Sequence, residues 1–353
     1  MEFRDFEAAF DDSGKRLDRI LKALLAKDQQ SKIDQVLRKN LIKVNGKKAK
    51  GSDRIQEKDI ITIASFLLEN SSTSPLEKSE ENQKSKEKVP KDLPKIEVVF
   101  KNEYLKIINK PYNVLCQSAK GSTFDLSTWA KEEFKKEKKE DSLSFKTGAL
   151  HRLDLYTTGL LVFSQNAKGA SWFSSAIKEG LVRKTYLGIA EGNLQKEILW
   201  KDLLVKEDLP QFNFYKVKDA VFFKDSEVEK NNFPKVEKAR TIARPLAHGH
   251  YQGKDITLVE YKILTGKKHQ IRFQSAKHSM PLLGDSAYGS KIKMQVQYFL
   301  HAFCLTFPKD NPLNVPEKIT VFPPDFFQKA INDFFPDFSL CDFFKGASKN
   351  CNF

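Results

Sequence analysis

The chain has 353 residues, 40% hydrophobic and 30% charged, enough to bury a substantial core and to divide into two or more domains. Its 60 Lys and Arg against 46 Asp and Glu leave a formal charge of +14. An anionic partner is the leading expectation, and nucleic acid fits it because a polyanion releases counterions for each cation laid along it; a merely lysine-rich soluble protein would show the same balance. The cysteines Cys116, Cys304, Cys341 and Cys351 form no Cys-x-x-Cys pair, which argues against a zinc knuckle or a disulfide framework and for a reducing cytoplasm. The first residues carry no signal-like apolar stretch, and no apolar run approaches the roughly 20 residues that span a bilayer, so neither export nor membrane insertion is expected.

Leu17, Ile20, Leu21, Leu24 and Leu25 recur at the spacing of an amphipathic helix, and Ile33, Val36, Leu37 and Leu41 repeat the pattern in a second helix that Ser31 can cap. Val44-Asn45-Gly46-Lys47 then supplies an Asn-Gly hairpin turn, with Ile60 to Ile63 as a closing strand. Residues 1–68 thus form a small helix-helix-hairpin module. Between Lys32 and Lys50 it carries Lys32, Arg38, Lys39, Lys43, Lys47, Lys48 and Lys50 with Asp34 as the one acid, a basic face suited to RNA phosphates or simply to solvent. GKRLDRIL, SKIDQVLRKNLIKVNGKKAK and the strand led by Asp59 together resemble an S4 RNA-binding domain.

Residues 69–95 are rich in Ser, Glu, Lys and Pro and nearly without large apolar side chains; such a stretch cannot repay its ordering entropy and is expected to be a flexible linker. Residues 96–353 form the second domain, ending in a Phe-rich extension. Strands are expected over 96–100, 105–109, 159–164, 185–191 and 257–264, the last alternating as a sheet with one solvated face would. Asn166 and Gly180 bound a helix. The pattern is α+β rather than regular βαβ winding. The Phe-rich and Lys-rich stretch 206–255 is expected to be an elaborated loop or hairpin, either near RNA or an ordinary surface insertion. The phenylalanines after residue 322 are expected to pack on the domain, since exposed they would promote aggregation.

Three segments stand out: Ala149-Leu150-His151-Arg152-Leu153-Asp154 with Thr157-Thr158-Gly159; Arg183-Lys184-Thr185-Tyr186; and Leu264 through Arg272, LTGKKHQIR. Each alone passes for a surface loop, an ordinary strand or a basic helix start. In this order, with Asn109-Lys110-Pro111 before them and Pro281 to Asp285 and Ala287-Tyr288-Gly289 after, they resemble the motifs of the RluA-type pseudouridine synthases over most of residues 96–308. That family isomerises uridine in RNA. The resemblance implies the pseudouridine synthase fold, a mixed and largely antiparallel sheet with flanking helices, preceded here by the S4-like α/β module.

The chemistry breaks the N1–C1′ bond, turns the uracil, joins C5 to C1′ and removes the C5 proton. It needs no redox change, so no metal and no organic cofactor is expected. It does need a carboxylate to act as nucleophile or base beside the sugar, and by resemblance this is Asp154. Burial would raise its pKa and an opposing cation lower it; the resemblance makes Arg272 that cation, with His269, Arg272 and Ala276 sharing a helix face. Tyr186 matches the family's active-site tyrosine, whose ring lies on the base and whose hydroxyl has acid-base capacity. Arg152 corresponds to the residue that fills the space left by a flipped nucleotide, and His151 shapes the loop. Lys267 and Lys268 are expected, with the Lys32–Lys48 cations, to hold phosphates. Leu155, Thr158, Lys267, Asn113, Gln117 and the stretch at Phe307-Pro308 depart from the usual family pattern, which bears on substrate detail. A cytoplasmic monomer acting on large-subunit (23S) ribosomal RNA, or on a precursor particle, is the implied protein. The alternatives are an inactive RNA-binding assembly factor and a tRNA-modifying enzyme; a hydrolytic glycosidase would call for two flanking carboxylates.

Overall fold

The computed structural model describes residues 1–26, 28–68, 95–117, 124–137, 142–205 and 236–349. The expected linker at 69–94 and the first part of the 206–255 stretch lie outside them.

The N-terminal residues build a four-stranded sheet in the order β1-β4-β2-β3, from β1 (Phe3–Glu7), β2 (Ile42–Val44), β3 (Lys47–Lys48) and β4 (Ile60–Ala64). Against it pack α1 (Leu17–Leu24) and α2 (Ile33–Arg38). Leu17, Ile20, Leu21, Val36 and Leu37 meet Ile61 and Ile63 in a separate core, so the periodic apolar positions point inward. Asn45 and Gly46, at φ 50° and 73°, make the hairpin turn, and Asn45 locks it by accepting from the Ile60 N–H (2.8 Å) and donating to Asp59 (2.8 Å). Two details differ from expectation. Ser31 does not cap α2, because the chain enters it through a 3-10 turn at Gln30–Lys32 that leaves Lys32 at the cap with no side-chain bond. The strand at Ile60–Ala64 is central, since the acidic N-terminus contributes β1 on its far side.

This unit is docked on the rest of the chain. Asp12, wholly buried, accepts from Ser142 Oγ (2.8 Å), the Leu143 N–H (2.9 Å) and the Ser144 N–H (3.1 Å), and also from Ser144 Oγ. Leu143 adds its side chain to the N-terminal core, and Asp11 accepts from the Ala167 N–H.

The larger unit is a nine-stranded sheet among the described residues. Its main path runs β5 (Glu97–Lys101), β6 (Leu105–Lys110), β7 (Thr158–Ser164), β12 (Leu300–Thr306), β8 (Arg183–Glu191), β11 (Lys254–Ile263), β10 (Val236–Tyr251) and β9 (Ile198–Val205), with β13 (Lys318–Thr320) on β12. Among the described strands only the β7–β12 pair is parallel. Helices α3 (Leu126–Glu137), α4 (Ala167–Lys178), α5 (Gln270–Lys277), α6 (Asp325–Phe334) and α7 (Leu340–Lys349) flank it. The architecture is α+β, as expected. Asn166 caps α4 by accepting from the Gly169 N–H at 2.7 Å, and Gly180 leaves it at φ 75°.

Of the 206–255 stretch, residues 236–251 are a strand paired with β9 and, in a hairpin, with β11. The solvated face expected of β11 is not found: Ile256 to Tyr261 are buried on both faces. The Phe-rich tail covers the face that the alternation left to solvent: Phe327, Phe335 and Phe344 pack with Ile256 and Leu258. Gly249 of β10 permits that cover, since a Cβ there would lie 2.2 Å from the Phe334 carbonyl oxygen.

Candidate active site

Asp154 lies on the turn entering β7, where the Thr157 N–H returns to its carbonyl at 3.1 Å. Gly159, at φ 107°, lets β7 approach the Ala302 backbone of β12 within a distance a Cβ would not tolerate, and this seats the turn beside the sheet. The peptides on either side of Asp154 are held from below. Cys116 Sγ both donates to the Leu153 carbonyl (3.3 Å) and accepts from the Leu153 N–H (3.4 Å). Lys110, buried at the end of β6, donates to the Leu155 carbonyl at 2.8 Å and to that of Pro111 at 3.0 Å. Burial lowers the Lys110 ammonium to about 8, partly offset by nearby Cys116 and Asp154. Asp154 is therefore fixed by its backbone while its side chain, 16% exposed, faces the opening.

Three sequence-marked groups do converge there. Arg272 Nη1 stands 3.7 Å from Asp154 Oδ2, and His269 Nε2 stands 3.6 Å from Oδ1. Tyr186, on β8, lies buried close enough to Asp154 to feel its charge; burial, and then that carboxylate, hold its phenol well above the usual value. Arg152 is exposed two residues before Asp154, and His151 is turned inward, where its Nε2 accepts from the Val162 N–H at 3.2 Å and shapes the loop.

The partnership of Arg272 differs from expectation. Its fork is bidentate to Asp285, Nε to Oδ2 at 2.7 Å and Nη2 to Oδ1 at 2.9 Å, so Asp154 receives only its outer edge. The guanidinium is sandwiched between the rings of Tyr288 (4.6 Å) and Tyr298 (4.4 Å). Burial pushes the Asp285 carboxyl up, yet both its oxygens accept from Arg272, the geometry of an ionised pair. The pair fixes a cation that can serve Asp154 without being neutralised by it.

His269 also departs from the expected helix face. It precedes α5 in the left-handed conformation (φ 55°), with Nδ1 2.8 Å from the Tyr288 hydroxyl. Burial lowers it to about 4, so at neutral pH it is uncharged and offers Asp154 no neutralising charge. Of the expected phosphate ligands, Lys267 is paired with Glu237 at 3.4 Å, and Lys268 is exposed. Lys32, Arg38, Lys39, Lys47 and Lys48 are exposed on α2 and the β2–β3 hairpin, and Lys43 is half-buried. The motifs that contain Lys110, Asp285 and Tyr288 were visible in the sequence without their roles; Tyr298 and Cys116 carry no local signal. Among the described residues, no cluster of three His, Cys, Asp or Glu side chains is disposed to hold a metal ion.

A carboxylate beside a fixed cation and a buried phenol suits nucleophilic or acid–base chemistry at an electrophilic carbon. Residues 104–277 match the family model for RNA pseudouridylate synthase, and the chain belongs to that family: it is a pseudouridine synthase. It is 28% identical to a ribosomal large subunit pseudouridine synthase C of Rickettsia typhi, over 81% of this chain and 87% of that protein. It is also 28% identical to a tRNA pseudouridine synthase C of Vibrio cholerae, over 56% of this chain and 75% of that one. The structure of human RNA pseudouridylate synthase domain containing 1 superposes with a TM-score of 0.53 at 21% identity, covering 73% of this chain and 96% of that one, and shares the fold.

Proposed function

We propose that this enzyme converts uridine to pseudouridine in large-subunit ribosomal RNA, in the cytoplasm, with Asp154 as the group that attacks or deprotonates at the sugar. The observation that carries the assignment is Asp154 itself: held by its backbone through Lys110 and Cys116, and faced by Arg272 and His269 without a direct neutralising bond. Arg272 sets a positive charge 3.7 Å from the carboxylate, itself anchored on Asp285. Tyr186 begins as a phenol. Burial, and then the Asp154 charge, hold it so. Bonding of the carboxylate to C1′ breaks the N1–C1′ bond, and the electron pair leaves on the uracil; when C5 has joined C1′, Asp154 departs as the carboxylate and the C5 proton passes, net, to N1, with Tyr186 as the group beside the base that relays it. Arg152, exposed beside the carboxylate, fills the gap left by the flipped nucleotide.

A ribosomal target is favoured because the Rickettsia relative matches along more than four fifths of both chains, whereas the tRNA-modifying relative matches little more than half of this one. The N-terminal unit acts as an S4 RNA-binding domain, with Lys32, Arg38, Lys39, Lys43, Lys47 and Lys48 on phosphates.

The test is release of tritium from 5-tritiated uridine in unmodified large-subunit rRNA and tRNA transcripts. Wild-type protein is expected to release it from the ribosomal transcript, and Asp154→Asn to lose at least a thousandfold in rate while binding that transcript with unchanged affinity. Release from tRNA alone would overturn the ribosomal assignment, and an active Asp154→Asn would overturn the role of Asp154.

A further inference from the structure

Between the docked N-terminal unit and the catalytic unit lies a cavity of about 800 Å³. Its walls carry Lys15, Arg19 and Lys22 from one side and Lys146, Ser144 and Ser171 from the other, and no Asp or Glu lines it. Arg19 and Lys22 stand at i and i+3 on the face of α1 opposite Leu17, Ile20 and Leu21, so the cationic stripe of that helix is turned toward the catalytic unit. Among the described residues none of the four cations makes an ion pair within 4.0 Å, although Asp18, one turn before Lys22, feels its charge; Lys15 donates to Ser144 Oγ at 3.0 Å. Four like charges around one open space repel each other, and the docking through Asp12 holds them there. An anion in the space would offset that repulsion. The first turns of α4, at Ala167, Ala170 and Ser171, open on the same cavity, although Asp11 already takes the Ala167 N–H.

The floor of the cavity, Gly148-Ala149-Leu150, continues directly into His151-Arg152-Leu153-Asp154. Leu150 and Asp154 are four residues apart, at most about 14 Å along extended chain. The cleft therefore lies within one short span of chain of the catalytic turn.

We propose that this interdomain cleft is a second RNA-binding surface, which grips the sugar-phosphate backbone flanking the target uridine through Lys15, Arg19, Lys22 and Lys146. It rests on RNA being the substrate and is separate from the α2 and hairpin face assigned above. The cleft exists only in the docked arrangement, so Asp12 is its positioning residue.

The experiment measures binding of an unmodified large-subunit rRNA transcript as a function of salt, for the full-length wild type, for Arg19→Gln/Lys22→Gln/Lys146→Gln, and for the single variant Lys22→Gln. Each lost phosphate contact flattens the log-log salt dependence by about 0.7–0.9, so the triple variant is expected to lose about 2–3 from the slope and at least tenfold in affinity near physiological salt. The single variant is expected to lose about a third as much. A control with Lys196→Gln, Lys309→Gln and Lys329→Gln, all exposed and elsewhere, is expected to keep the wild-type slope. An unchanged slope in the triple variant, or an equal loss in the control, overturns the proposal. Tritium release by the wild type is read in parallel, so failure of the cleft is distinguished from failure of the ribosomal assignment.

Discussion

Two carboxylates face one guanidinium in this site, and the structure predicts opposite consequences for removing them. Asp285 is 2% exposed and takes both prongs of Arg272, itself 8% exposed. Asp285→Ala leaves that cation buried with two charge-assisted bonds unmade, and breaking a buried pair from one side costs about 3–5 kcal/mol. The Tyr288 and Tyr298 rings cannot compensate, since a cation–π contact contributes about 0.5–2 kcal/mol each and both are already made. Asp154 sits 3.7 Å from the same group at the opening; its charge repels that of Asp285, which burial and then Asp154 push up, and this offsets what it contributes towards Arg272 and Lys110. Asp154→Asn is therefore expected to leave stability unchanged or to raise it by about 1 kcal/mol, the pattern of a residue kept for activity. Urea unfolding of the two variants, with m-values checked against wild type, measures the contrast. If Asp154→Asn destabilises as much as Asp285→Ala, then Arg272 is anchored on Asp154 and the division of labour drawn here is wrong.

Acid sensitivity follows from two histidines. His301, wholly buried between Thr158 Oγ1 (2.8 Å) and the Val321 carbonyl (3.1 Å), is lowered by burial to about 4, as is His269. Because the folded values lie below the ordinary 6.5, the unfolded chain takes up protons first. This contribution to stability is full above pH 6.5 and is lost as pH falls towards 4. Each histidine is expected to cost about 2 kcal/mol at pH 5 relative to pH 7; chemical denaturation at the two pH values checks this, and equal midpoints would refute it. Asp12→Ala leaves the Leu143 and Ser144 N–H groups without their acceptor, at a cost of about 1–3 kcal/mol, and should speed hydrogen exchange at both amides roughly 5- to 150-fold. Unchanged exchange would show that the two units do not depend on this contact.

What could be read along the chain was what neighbouring residues decide. The α1 stripe, the Asn45-Gly46 turn and the Asn166 cap are local, set by side-chain period, by backbone permissiveness and by one short hydrogen bond. Asp154, Tyr186 and Arg272 were legible because the motifs around them are contiguous. Partner choice was not. Asp285 outcompetes Asp154 for Arg272 because the Ser286–Tyr288 turn and α5 bring both its oxygens within hydrogen-bond reach of the guanidinium fork, a matter of orientation that no spacing encodes. The alternation in β11 suggested a solvated face because the sequence around it says nothing of a tail some 70 residues further on that folds back to cover it. The basic excess was plain from composition, but its concentration into a cleft depends on Asp12 reaching residues about 130 positions away. Composition and motif determined the class of chemistry and singled out Asp154; only tertiary structure decided which charges meet and which are left facing open space, because those outcomes depend on distances between segments that the chain itself keeps far apart.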